Sequence, residues 1–167
     1  MGRLQSFLDM VQEKRIGFSM DEIMSGTHVF EPGMGPTGTL PFEFRVTWGP
    51  KHLLRWANPL SGEFMKQPLN GTVTAAGLCE NARVTGTLEL NYFTEGKLRY
   101  TFEFIANGKA YRFVGEKVNI RPWNLPFSHT TCFGVLVEKE SGKLVSRSVT
   151  HFRMHTTPAF LLSLKFA

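Results

Sequence analysis

Between residues 42 and 48 hydrophobic and polar positions alternate without a break. Phe42, Phe44, Val46 and Trp48 fall on one side, and Glu43, Arg45 and Thr47 on the other. That period of two is the pattern of a half-buried strand. It recurs along the chain. Val84, Leu88 and Leu90 alternate with Arg83, Thr85, Thr87, Glu89 and Asn91, and after a turn at Glu95-Gly96, Leu98, Tyr100, Phe102 and Phe104 alternate with Arg99, Thr101 and Glu103. Asn107-Gly108 is a hairpin signal because both residues tolerate positive φ. Tyr111, Phe113 and Gly115 share one face of the return strand. Residues 130–138 and 144–153 read as a last hairpin around Ser141-Gly142, and residues 28–30 and 72–75 as two short strands.

Three stretches read as helices instead. Leu4, Phe7, Leu8 and Val11 form one apolar stripe, so residues 1–17 are predicted as an N-terminal helix stopped at Gly17. Residues 51–57 read as two helical turns closed by Asn58-Pro59. Thr157-Pro158 resembles an N-cap followed by a first helical position, opening a C-terminal helix over residues 157–167. The prediction is one domain over residues 1–167: all-β with flanking helices, a single up-and-down antiparallel β-barrel of about eight strands over residues 24–154. Short turns between successive strands favour this closure, which leaves no exposed edges. A barrel of about eight strands is either filled by its own side chains or holds one small ligand.

Composition sharpens that alternative. Among 167 residues there are 15 Phe, 3 Trp and 3 Tyr, enough rings to fill a large core or to line an apolar pocket. The candidate lining is Phe42, Phe44, Trp48, Trp56, Tyr100, Phe102, Phe104, Tyr111, Phe113 and Phe133. Such a pocket suits a lipid, a sterol or a fatty-acid-like molecule. Trp56 and His52, in the segment between two strands, are placed to face an open barrel end. The opposite strand faces carry Glu43, Arg45, Thr85, Glu89, Arg99, Glu103, Arg112, Glu116 and Arg147, which read as solvated cross-strand pairs.

Charge and chemistry narrow the function further. The net charge of +5 is spread singly, at Lys97, Arg99, Lys109, Arg112, Lys117 and Arg121 among others. That argues against a nucleic-acid partner. No apolar run reaches membrane-spanning length. The N-terminus lacks the apolar core of a secretory signal, so the expected location is cytoplasmic, where Cys79 and Cys132 stay thiols. His28, His52, His129, His151 and His155 show no metal-ligand spacing, and no nucleophile–base pair follows from local geometry around His129 and Cys132. No cofactor and no catalytic residue is assigned.

Several stretches resemble one known domain type. They are Met24-Ser25-Gly26-Thr27 with Phe30, Pro41-Phe42-Glu43-Phe44-Arg45-Val46, Leu69-Asn70-Gly71-Thr72-Val73 with Gly86-Thr87-Leu88-Glu89-Leu90, Leu98-Arg99-Tyr100-Thr101-Phe102 through Gly115-Glu116-Lys117-Val118, and Trp123 to Thr130-Thr131. Together they resemble the lipocalin-like, or calycin-like, accessory domain attached to flavin oxidoreductases of the glucose–methanol–choline type, in the cholesterol-oxidase-like branch. The resemblance covers about residues 24–153 and implies a calycin-like barrel. It does not extend to redox activity, because no flavin-binding fingerprint follows a strand here; Gly33-Met34-Gly35-Pro36 is a loop. The expected function is non-catalytic binding of a hydrophobic small molecule. The alternatives are an interaction module for a separate oxidoreductase or lipid-metabolising enzyme, and a small barrel cyclase or isomerase.

Overall fold

Eight strands hydrogen-bond in sequence order and the last returns to the first. They are β1 (Phe18–Phe30), β2 (Thr39–Trp48), β3 (Lys66–Ala75), β4 (Cys79–Asn91), β5 (Lys97–Ala106), β6 (Lys109–Lys117), β7 (Thr131–Glu138) and β8 (Leu144–Phe152). Every pairing is antiparallel, and β1 pairs with both β2 and β8, so the sheet closes into an up-and-down barrel. The computed structural model describes residues 18–50, 56–62, 64–91, 97–117, 131–152 and 165–166.

Closure imposes a stagger. Stepping across partners from Phe30 leads through Ser146, Leu136, Phe113, Phe102, Gly86, Leu69 and Trp48, and returns to β1 at Met20, ten residues from the start. This spiral row runs along the inner wall from one end of the barrel to the other. At the end where it begins, the connections are short: residues 31–38, 76–78, 107–108 and 139–143. Asn107 and Gly108 both take positive φ, at 53° and 76°, as the hairpin signal requires. Phe30 closes this end, with Gly35 lying so close over its ring that a Cβ there would sit 2.6 Å from it. The opposite end, where β1 begins and β2 ends, is the mouth.

The middle of the barrel is filled by rings. Phe44 on β2 contacts Tyr100 and Phe102 on β5 and Phe113 on β6, at centroid distances of 5.3, 5.4 and 5.5 Å. β2 and β6 are four strands apart in a ring of eight, so these contacts cross the axis. Phe113 also stacks on Phe102 at 4.6 Å and on Phe42 at 5.5 Å. Its ring has room only because Gly115 and Gly134 lie beside it; a Cβ at Gly134 would come within 2.3 Å of the ring.

Several expectations change. β1 is thirteen residues long, not a short strand over 28–30, and β3 starts at Lys66, not at 72. In both, polar residues and glycines occupy inward positions: Glu22, Gly26 and His28 in β1, and Gln67 and Gly71 in β3. They hide the alternation that a wholly apolar inner face would show. The C-terminal helix predicted through Phe166 does not reach that far: Lys165–Phe166 is a two-residue strand, β9, paired with Ser19 and Phe18. The rest of that segment, the N-terminal helix over 1–17, residues 51–55 of the predicted helix over 51–57, and His52, His129 and His155 lie outside the described residues.

Candidate functional site

Nine of the ten predicted lining residues face inward or pack on the core. Phe42, Phe44, Trp48, Tyr100, Phe102, Phe104, Tyr111 and Phe113 are buried, and Trp56 is half-buried against the core. Phe133 is the correction: it is 54% exposed, on the outer wall. Its neighbour Cys132 is fully buried, and adjacent strand residues point to opposite sides. The predicted solvated faces are outward. Arg45 meets Glu43 at 2.7 Å, Arg112 and Lys139 both meet Glu103 at under 3 Å, and Arg99 meets Glu116 at 3.0 Å. Such exposed pairs are worth about 0–1 kcal/mol each.

Lys117 departs from its expected place among the surface bases. It is 4% exposed, inside the barrel, and donates to Oε1 of Glu22, itself 6% exposed. Around this ion pair the mouth is built of polar and aromatic groups. Tyr100 Oη donates to Glu22 Oε2 at 2.7 Å, and Trp48 Nε1 donates to the same oxygen at 3.1 Å. β1 and β5 stand on opposite walls, so the Tyr100–Glu22 bond spans the interior. The Lys117 ammonium lies 5.2 Å from the Tyr100 ring centroid and 5.6 Å from that of Phe152. Gln67 follows on β3, 1% exposed, its Oε1 accepting from Trp56 Nε1 at 2.6 Å. Its Nε2 is buried without a partner among the described residues.

The positions of these polar residues were readable in the sequence by parity. Lys117 continues the odd-numbered face of Tyr111, Phe113 and Gly115. Glu22 shares the even-numbered face of Met20, Met24 and Phe30. Gln67 precedes Leu69, Val73 and Ala75 on one face. Only their polarity argued for the outside.

Burial holds both thiols toward their protonated form. Burial pushes Cys132 up to about 12, against the weaker opposing pull of Lys117, and burial raises Cys79 as well. Both remain unpaired. Among the described residues no three His, Cys, Asp or Glu side chains gather where a metal ion could be held, and no helix is long and apolar enough to cross a membrane. A groove of about 410 Å³, lined by Ser25, Gly26, Pro41, Phe42, Glu43 and Thr74, lies open to solvent along β1, β2 and β3.

His28 forms a separate buried site toward the closed end. Ala76 O can only accept, so Nε2 carries the proton at 2.9 Å, and Nδ1 accepts from the Ser146 hydroxyl at 3.0 Å. Burial lowers the pKa of this neutral ring, outweighing the carbonyl bond to Ala76. The unfolded chain therefore binds a proton near pH 6.5 that the folded chain resists. The His28 contribution to stability is complete above pH 6.5 and is lost as pH falls below it. Urea midpoints measured at pH 7.5 and 5.5 should drop toward the lower pH, and the drop should be smaller in His28→Gln.

No protein-family model, no curated protein and no solved structure matches this chain.

Proposed function

We propose that this barrel binds a hydrophobic small molecule without transforming it, and that the guest sits at the mouth beside Glu22, Lys117, Tyr100, Trp48, Trp56 and Gln67. The observation that carries this reading is the buried Glu22–Lys117 pair set among rings at the mouth, where the middle of the barrel is already filled. Removing two charges from water costs several kcal/mol per ion, and a well-packed apolar pair often serves stability as well or better. A barrel selected for stability alone gains nothing from such a pair, whereas a ligand site gains orientation and specificity. The resemblance to a lipocalin-like accessory domain favours the same reading.

Titration of the full chain with Nile red, an uncharged apolar dye, tests it. Saturable fluorescence enhancement at one site is expected, with Kd on the order of micromolar. Trp48→Ala should weaken it, and Phe133→Ser, on the outer wall, should leave it unchanged. Enhancement that never saturates, or that follows Phe133 instead of Trp48, overturns the reading.

The outer wall supports a second reading, that of an interaction module for a separate enzyme. Phe133 and Val149 are cross-strand partners on β7 and β8, 54% and 38% exposed, and Val29 on the adjoining β1 is 47% exposed. Apolar neighbours of this kind mark interaction surfaces. In that case Phe133→Ser abolishes capture of the partner and spares dye binding.

A further inference from the structure

We infer that the guest presents an uncharged hydrogen-bond acceptor, a ketone, aldehyde or ester oxygen, to Gln67 Nε2. This rests on the mouth-binding reading above and names the head group that the site selects. The orientation of the Gln67 amide follows from its partner. The Trp56 indole N–H can only donate, so the amide oxygen faces it and the NH2 group faces away. That NH2 is buried in a residue 1% exposed, with no partner among the described residues. A buried unsatisfied donor costs about 1–3 kcal/mol, which an acceptor on the guest recovers.

The neighbouring charges decide what kind of acceptor. Lys117 is already neutralised by Glu22, so an ionised carboxylate on the guest would leave the buried site with an uncompensated negative charge. Glu22 offers no welcome to an anion either: it accepts from Lys117, Trp48 and Tyr100 and donates nothing. The remaining donor capacity at the mouth, Gln67 Nε2 and the further N–H bonds of the Lys117 ammonium, matches a neutral oxygen on an apolar body.

Three probes of equal chain length separate these features: 2-undecanone, undecanoic acid at pH 8, and undecane, each followed by the intrinsic tryptophan fluorescence of the full-length wild-type chain. The ketone should bind about tenfold more tightly than either of the others, the worth of one good hydrogen bond. Gln67→Met, which keeps the length and loses the donor, should reduce the ketone to the affinity of undecane. An acid that binds as tightly as the ketone, or a ketone no better than undecane, overturns the head-group inference and leaves the mouth-binding reading standing. Failure of all three probes to bind the wild-type chain removes the mouth-binding reading itself. Because the probe series is read on the wild type, the result stands even if Gln67→Met does not fold.

Discussion

Lys117→Met on its own should destabilise the protein by about 3–5 kcal/mol, the loss expected when one partner of a buried ion pair is removed. Glu22 would then remain inside the barrel with its charge uncompensated, held among the described residues by the Trp48 indole and the Tyr100 hydroxyl. The double variant Glu22→Gln/Lys117→Met should recover part of that loss and come within about 1–3 kcal/mol of wild type, since neither residue then carries charge and the cost that remains is the buried glutamine NH2 left without an acceptor. The glutamine carbonyl still accepts from Trp48 and Tyr100, and the methionine fills the volume of the lysine stem. Urea unfolding of the wild type, both single variants and the double variant closes the cycle, and a coupling of several kcal/mol between the two positions is the expected result. Additive effects would mean that the two charges reach solvent separately.

The barrel itself was legible from its central strands. In β4, β5 and β6 the alternation is strong enough to fix which side is inside, and Asn107-Gly108 fixes the hairpin between β5 and β6; in β7 the outward face holds Phe133, Val135 and Val137, and in β8 the inward face holds Ser146, Ser148 and Thr150, so the contrast there is weak. What escaped was the inward polar set of β1 and β3, and with it ten of the thirteen residues of β1 and six of the ten of β3. Period-two reading depends on contrast between faces, and the contrast fails where Glu22, Gly26, His28, Gln67 and Gly71 point inward. Two of the residues that blur these strands, Glu22 and Gln67, help build the candidate site. Lys117 shows the same effect at a strand end: its parity placed it inside, and its charge argued for solvent. Its partner lies 95 residues earlier on β1, and a pairing at that separation is visible only after the strands close. Phe133 is the converse, a large ring whose hydrophobicity suggested the interior while its parity with Thr131 placed it outside.

Phe113→Ala should cost about 3–5 kcal/mol, whereas Phe133→Ala should change stability by less than about 0.5 kcal/mol. The two side chains are chemically identical, so the difference isolates position. Phe113 touches Phe42, Phe44 and Phe102 across the axis, and its backbone neighbours cannot collapse into the vacated space without moving whole strands. Phe133 already stands largely in water. The cavity left by Phe113→Ala is apolar and ring-shaped, so benzene should enter it and raise the urea midpoint of the variant, with no comparable effect on the wild type. A variant that loses stability but gains nothing from benzene would show that the rings had closed over the gap. That outcome would require Phe42, Phe44 and Phe102 to move together and would place the middle of the barrel, alongside the mouth, among the regions able to change shape around a guest.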